Sequence, residues 1–165
     1  MGMLKMIVKP DAKKVYLKNA LNYIIKNYET LYYGGVNVYP EKAYRQMKKI
    51  KEYFGKTSGN QLIHYVVCFN EHVQDIVTAI DFAYRIAEYY KSRYQVLFGV
   101  HSELRYNGNG NAKSLFHLHI ILNSVSFVDG KMFAEGKDDV AVFARHIADV
   151  TADYHWRIRW ESEIR

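Results

Sequence analysis

Apolar residues recur along this chain with two different spacings, which separate helical from extended segments. Where they return every three to four residues, the spacing predicts amphipathic helices. Helices are predicted over residues 15–25, 40–54, 73–91 and 138–152. Apolar-rich runs with alternating or continuous apolar character predict strands. Strands are predicted over residues 3–8, 62–69, 94–101 and 116–123.

Glycine-rich dipeptides mark the predicted turns. The run 107–111 reads Asn-Gly-Asn-Gly-Asn, and Asn-Gly steps accommodate positive φ, so a hairpin tip is predicted there. Asp129-Gly130 predicts a second hairpin, and Gly34-Gly35 predicts a break in regular structure. The basic and aromatic tail over residues 154–165 is compatible with a helix.

Helices and strands alternate, yet the central strands are connected by a hairpin. This order predicts an α/β fold of the α+β kind, with a central antiparallel sheet of about five strands and helices on its flanks. A length of 165 residues is that of one domain, here residues 1–165, and is also compatible with the N-terminal part of a longer protein.

Composition indicates the cellular compartment in which the protein is expected. One cysteine, Cys68, excludes an internal disulfide framework and is compatible with a reducing compartment. The N-terminal segment, residues 1–9, is too short and too weakly apolar for a signal peptide. No apolar stretch approaches the roughly 20 residues that span a bilayer. A cytoplasmic protein without membrane insertion is therefore expected.

Charge and aromatic content favour a polyanionic partner. The formal net charge is +6, and 15 tyrosines and eight phenylalanines could stack on unpaired bases. The predicted helix 40–54 is strongly basic, and its charged side chains form either a solvated face or a face that follows DNA phosphates. Its cations are Lys42, Arg45, Lys48, Lys49 and Lys51.

The most informative local pattern is a pair of histidines two residues apart on the strand 116–123. Side chains alternate along a strand, so His117, His119 and Asn123 share one face. The predicted hairpin returns His101, at the end of the preceding strand, beside this pair. Three neutral imidazoles with open positions are typical of a catalytic metal site. The alternative is that these are hydrogen-bonded core or surface histidines.

Nitrogen ligands suit a transition metal, and Mn²⁺ or Mg²⁺ becomes suitable when phosphate oxygens complete the coordination. The other histidines without such company are interpreted as surface or packing residues: His72, His146 and His155. Asn123 could bind a ligand or cap the turn that follows its strand.

Several segments together resemble the plasmid mobilisation relaxases of the His-hydrophobic-His (HUH) endonuclease superfamily. Residues 101–103, 116–125 and 129–131 resemble the third motif of that family, residues 64–69 its middle motif, and residues 18–24 its nucleophile motif. The order and spacing fit from about residue 5 to residue 150. Four departures from the family pattern are Glu103 in place of Asp, a longer segment before His117, Cys68 where Ser is frequent, and Glu29-Thr30 where Lys-Thr is frequent.

The resemblance implies an enzyme that nicks one DNA strand at a transfer origin and later rejoins it. It implies that Tyr23 is the nucleophile, giving a 5′-phosphotyrosine, and that His101, His117 and His119 hold a divalent metal. Glu103 would activate the phenol or orient a ligand. The implied partners are single-stranded DNA, accessory relaxosome proteins and a coupling protein. Other candidate tyrosines are Tyr16 on the same helical face and Tyr28, Tyr32 and Tyr33, interpreted as loop residues.

Three alternatives stay open at this point. A rolling-circle replication initiator or transposase of the same superfamily would place its tyrosine after the histidine pair, at Tyr154. A non-catalytic single-stranded-DNA-binding module would bind DNA with a steep salt dependence and form no adduct. A zinc hydrolase of small substrates is disfavoured by the basic charge.

Overall fold

A computed structural model describes residues 2–8, 16–69, 73–154 and 158–164. The predicted α+β class is confirmed. In chain order the elements are β1 (Gly2–Val8), α1 (Tyr16–Lys26), β2 (Thr30–Val36), α2 (Ala43–Tyr53), β3 (Leu62–Cys68), α3 (Ile76–Ala87), β4 (Val96–Tyr106), β5 (Ala112–Asn123), α4 (Lys137–Val150) and β6 (Ile158–Ile164). Short 3-10 helices occupy Pro40–Lys42, Glu88–Tyr90 and Ala152–Tyr154.

The strands form one sheet in the order β2-β4-β5-β3-β1-β6. All neighbours are antiparallel except β1 and β6, which run parallel, so the sheet is mixed, and within the described residues it has six strands where about five are predicted. The additional strand, β6, lies in the tail whose composition is compatible with a helix, and the helical interpretation is wrong for residues 158–164. Ile158 and Trp160 pack on the core while Arg159 and Glu161 are exposed, which is the period-two alternation of a strand.

The two faces of the sheet are covered differently. Helices α3 and α4 cover one face and bury the larger core, whose central rings include Tyr65, Phe98 and Phe143. Helices α1 and α2 cover part of the other face with a smaller cluster around Leu17, Ile24, Met47, Leu97 and Ile121. Polar and charged side chains can therefore gather on the uncovered part of this second face, which we call the α1 face.

The two glycines of the predicted break lie inside β2. A Cβ on Gly34 would lie 2.6 Å from the ring of Phe98, and one on Gly35 would collide with the backbone oxygen of Val38. These glycines permit close packing within an extended strand, which explains why the prediction of a break was wrong. Tyr32 and Tyr33 consequently lie in β2 and not in a loop.

A buried lysine fastens α2 to the sheet. Lys51, predicted as part of a basic surface, is only 2% exposed. Its Nζ donates to the Gln61 backbone oxygen at 2.7 Å, to Asn123 Oδ1 at 2.7 Å and to Ser124 Oγ at 3.0 Å. Burial lowers the pKa of Lys51 to about 8. The basic-surface interpretation of the helix is therefore wrong for this residue.

Strands β4 and β5 extend beyond the rest of the sheet as a two-stranded ribbon. Their pairing continues from His101 opposite His117 to Tyr106 opposite Ala112, whereas β2 ends its pairing with β4 at His101. The predicted hairpin tip is confirmed, with Gly110 at φ 78°. The second predicted hairpin is confirmed by a bridge between Val125 and Met132, with Gly130 at φ 72°.

None of the helices in the described ranges is both long enough and apolar enough to cross a membrane.

Candidate functional site

The three predicted histidines lie on the α1 face of β4 and β5. His101 is directly opposite His117, and His119 is opposite Gly99, so alternation places all three side chains on the same side of the sheet. The rings of His101 and His119 have centroids 4.5 Å apart. The His117 ring is directed towards Glu103, with Nε2 3.7 Å from Oε2 of that carboxylate.

His101 is held in one tautomer by helix α1 and strand β2. Its Nε2 lies 3.1 Å from the Ile24 backbone oxygen and 3.1 Å from Thr30 Oγ1, and the Thr30 hydroxyl itself donates to that oxygen at 2.8 Å. Because a carbonyl oxygen can only accept, Nε2 of His101 carries the proton and Nδ1 keeps its lone pair. That Nδ1 atom is fully buried and has no hydrogen-bond partner among the described residues.

Glycine at position 99 makes this arrangement possible. A Cβ at Gly99 would lie 2.6 Å from the Ile24 side chain and 3.2 Å from the Ile24 oxygen. The end of α1 can therefore approach β4 closely enough for the Ile24 oxygen to reach the imidazole of His101. A larger residue would push α1 away and break the contact.

Tyr23 stands beside two of the histidines. Its ring centroid lies 5.4 Å from that of His101 and 5.4 Å from that of His119. The residue is 41% exposed, so a substrate could reach the phenol from solvent. Leu17, Ala20, Leu21 and Ile24 are the buried face of α1, and Tyr23 falls beside that apolar stripe.

The rival tyrosines have other surroundings. Tyr28 is 92% exposed, and Tyr16 packs against the smaller core cluster. The Tyr32 hydroxyl lies 2.6 Å from the Tyr84 hydroxyl of α3, on the opposite face of the sheet. Tyr33 donates to Glu41 at 3.3 Å. The alternative tyrosine, Tyr154, is followed by residues 155–157, which lie outside the described residues. His72 and His155, interpreted as surface or packing residues, also lie outside them.

A fourth histidine, His64, belongs to the cluster, and no site role was predicted for it from the sequence. Its Nε2 lies 3.1 Å from Nδ1 of His119, and the two ring centroids are 5.3 Å apart. In the β3–β5 register, His119 is opposite Val66, so His64 is its diagonal neighbour on the same face. The alternation of β3 was visible in the sequence, but the pairing of β3 with β5 was not.

Burial sets the charge of the imidazoles. Desolvation lowers the pKa of His101, and the Ile24 oxygen and Glu29 oppose that shift. Desolvation also lowers the pKa of His117, while Glu103 and Glu29 raise it and Arg105 lowers it. Both rings are therefore mainly neutral near pH 7, which is the protonation state that ligates metals.

The donor chemistry of the site fits a metal better than its present geometry does. The buried and unpartnered Nδ1 of His101 is the kind of atom that a metal would satisfy. Within the described ranges, however, no group of three or more His, Cys, Asp or Glu side chains is arranged to hold an ion. His101 and His119 are close together, and His117 is engaged with Glu103 instead.

Two further residues considered from the sequence, Asn123 and His146, have hydrogen-bond partners away from the histidine cluster. Asn123 is fully buried, donates to the Met47 backbone oxygen and Gln95 Oε1, and accepts from Lys51. It therefore belongs to the hydrogen-bond network of Lys51 at the C-terminal end of β5. His146 has its Nε2 3.1 Å from the Arg85 backbone oxygen and packs on Tyr89, as expected for a packing residue.

A helix-flanked sheet that presents a histidine cluster beside an accessible tyrosine is typical of nuclease domains of the His-hydrophobic-His kind. Comparison with protein families supports this class, because the model of the relaxase family, MobA/VirD2-like nuclease domain, matches residues 16–156. The match covers most of the chain, and the chain therefore belongs to this relaxase family. Membership of this family implies a relaxase domain that binds single-stranded DNA and nicks it. No curated protein and no solved structure matched the chain.

Proposed function

We propose that this relaxase domain nicks one DNA strand at the transfer origin of a mobile element by attack of the Tyr23 hydroxyl. The observation that carries the proposal is the position of Tyr23, with its ring 5.4 Å from the rings of both His101 and His119. A phenol needs a neighbouring base or cation to activate it, because its ordinary pKa near 10 makes it a weak nucleophile at neutral pH.

The chemistry is a reversible transesterification. The Tyr23 oxygen forms a bond to the scissile phosphorus, and the bond from phosphorus to the 3′ oxygen breaks. The phenolic proton leaves through a neighbouring base, and the departing 3′ oxygen takes up a proton. The products are a 5′-phosphotyrosine and a free 3′ hydroxyl, and reversal of the same steps rejoins the strand without an external energy source.

His101, His119 and His117 would hold a divalent metal, with Mn²⁺ or Mg²⁺ as the expected ion. When bound, such an ion neutralises the charge that gathers on the non-bridging phosphate oxygens. Nε2 of His64 lies 3.1 Å from Nδ1 of His119, and Oγ1 of Thr30 lies 3.1 Å from Nε2 of His101. Both rings are therefore oriented by hydrogen bonds from neighbouring side chains. Glu103 contacts His117 and would orient that ligand.

The biological setting follows from the proposed reaction. A reversible nick that leaves protein on the 5′ end suits transfer of one strand of a plasmid or an integrated element between cells. Accessory relaxosome proteins and a coupling protein would then act with the domain in the cytoplasm.

A covalent-adduct assay tests the proposal directly. The protein is incubated with Mn²⁺ and single-stranded oligonucleotides that tile the DNA around its own gene, and DNA-linked peptides are mapped by mass spectrometry. We expect a metal-dependent adduct on Tyr23 and none with Tyr23→Phe, which keeps the ring packing but lacks the hydroxyl. His101→Ala should abolish the adduct and weaken Mn²⁺ binding measured by calorimetry.

Other outcomes identify the competing functions. An adduct on Tyr154 that persists in Tyr23→Phe would overturn the assignment and favour the initiator or transposase order. Salt-sensitive DNA binding together with metal loading, but without an adduct on any oligonucleotide of a pool that includes the origin, would favour the non-catalytic binding module.

A further inference from the structure

The ribbon formed by residues 102–115 carries two cations that the proposed chemistry does not use. Arg105 and Lys113 are both exposed and lie directly opposite each other across β4 and β5. Like charges at directly opposed positions destabilise a strand pair. An anion that contacted both side chains would reduce this repulsion, and the exposure of both leaves them accessible to one.

Both cations lie on the same side of the ribbon as the histidines. Positions 101, 103 and 105 alternate onto one face of β4, and positions 117, 115 and 113 onto the same face of β5. Glu103 links the two regions, because its Oε2 lies 3.7 Å from His117 Nε2 and 3.5 Å from Arg105 Nη2.

We propose that Arg105 and Lys113 form a backbone-phosphate subsite that holds single-stranded DNA beside the cleavage site. The inference rests on the proposed function of the histidine and tyrosine cluster and adds to it the path of the strand. The charge of the partner is complementary, and the ribbon, which projects past the end of β2, leaves room for a flexible strand along its surface.

The geometry gives the subsite a defined distance from the scissile phosphate. Four residues separate the His101–His117 pair from the Arg105–Lys113 pair, which is about 13 Å along an extended strand. That length corresponds to about four nucleotides at the rise of a B-form strand and to fewer in a stretched single strand. The subsite therefore contacts phosphates within a few nucleotides of the cut.

The opposite face of the ribbon has a different character. Leu104 is 61% exposed and Tyr106 is 71% exposed, and both alternate away from the histidine side. Substitution of Tyr106 therefore provides a test of which side of the ribbon the strand follows.

The test measures how binding to oligothymidine depends on salt, by fluorescence anisotropy over about 50–200 mM potassium chloride. In the double variant Arg105→Gln/Lys113→Gln, the slope of log affinity against log salt should become shallower by about 1.4, because each phosphate contact on a single strand contributes about 0.7. The matched control Lys137→Gln/Arg145→Gln removes one lysine and one arginine that are exposed on α4, and we expect less than half of that change.

Two further variants keep the test independent of folding. Arg105→Lys/Lys113→Arg preserves both charges and should retain the slope of the original protein, and Tyr106→Ser should retain it as well. A slope in the glutamine variant equal to that of the original protein or of the control would overturn the proposal. A change seen with duplex DNA but not with oligothymidine would also overturn it.

The binding measurement needs no cleavage, so its result is separate from that of the adduct assay. If the salt slope changes as expected but no adduct forms on Tyr23, the phosphate subsite stands and the nucleophile assignment fails. If an adduct forms but the slope is unchanged, only the subsite is overturned.

Discussion

Two buried polar networks lie on the same face of the sheet, one at the C-terminal end of β5 and one near the middle of that strand, and they differ in one respect. At one end, Lys51 and Asn123 satisfy each other and neighbouring groups, with Lys51 Nζ making three hydrogen bonds of 2.7 to 3.0 Å. Near the middle of β5, the fully buried His101 of the neighbouring strand β4 is bonded through Nε2, while its Nδ1 has no hydrogen-bond partner among the described residues. Both networks are fixed by the same sheet face and by helices α1 and α2.

The difference separates a structural network from a candidate reactive one. Burying an unmatched polar atom costs about 1–3 kcal/mol, so a protein retains one where the atom has a further use. A fully matched network stabilises and specifies the packing of α2. A network with one unmatched lone pair beside an accessible tyrosine is where the proposed metal would supply the missing partner.

The largest expected effect comes from breaking the matched network. Asn123→Ala removes one of the three acceptors of Lys51 and the donor to Gln95 and Met47, leaving buried groups without these partners. We expect the free energy of unfolding to fall by about 3 kcal/mol in urea titration. Nicking by the folded protein should change little.

Asn109→Ala in the exposed hairpin tip is the matched control and should cost under about 0.5 kcal/mol. Loss of nicking in Asn123→Ala at full stability would contradict the structural role of this network.

A smaller effect is expected from loosening the histidine network without removing a ligand. Thr30→Val keeps the side-chain shape but removes the hydroxyl that contacts His101 Nε2 and the Ile24 oxygen. We expect Mn²⁺ affinity by calorimetry and single-turnover nicking to fall together by about 10- to 100-fold, as for other residues that orient metal ligands. The stability of the fold should change by less than about 1 kcal/mol.

Thr30→Ser restores a hydroxyl at this position and should recover most of both losses. If Thr30→Val binds Mn²⁺ as tightly as the original protein, Thr30 does not position His101.

The smallest effect is a pH dependence of the matched network. Burial lowers the pKa of Lys51 from 10.5 to about 8, so between these values the unfolded chain binds a proton that the folded chain has released. Stability therefore rises with pH across this window, by about 2 kcal/mol between pH 7 and pH 9.5. Higher pH is less informative, because burial raises the pKa of Tyr65 and ionisation of this residue opposes folding there.

The comparison protein is Lys51→Met, in which this rise should be absent when urea unfolding is measured at both pH values. An equal rise in the two proteins would show that the Lys51 ammonium is not released in the folded state.

Local patterns predicted most of the elements correctly and failed where packing overrode them. The helical spacing of α1 and α4 and the Asn-Gly tip are properties of short segments, and they hold. The failures are Gly34-Gly35, extended because Phe98 and Val38 pack against them, and the tail, which becomes β6 by pairing with β1. Helix α3 begins at Ile76 instead of 73 because Asp75 caps it.

The sequence by itself determined that His101, His117 and His119 share one face, because alternation along a hairpin depends only on local geometry. It also determined the basic charge and, through its motifs, the relaxase resemblance. Only the tertiary structure brought Tyr23 and His64 to these histidines and buried Lys51, because these contacts depend on which strands pair and how closely α1 approaches Gly99. Such contacts join residues far apart in the chain, and no local pattern encodes them.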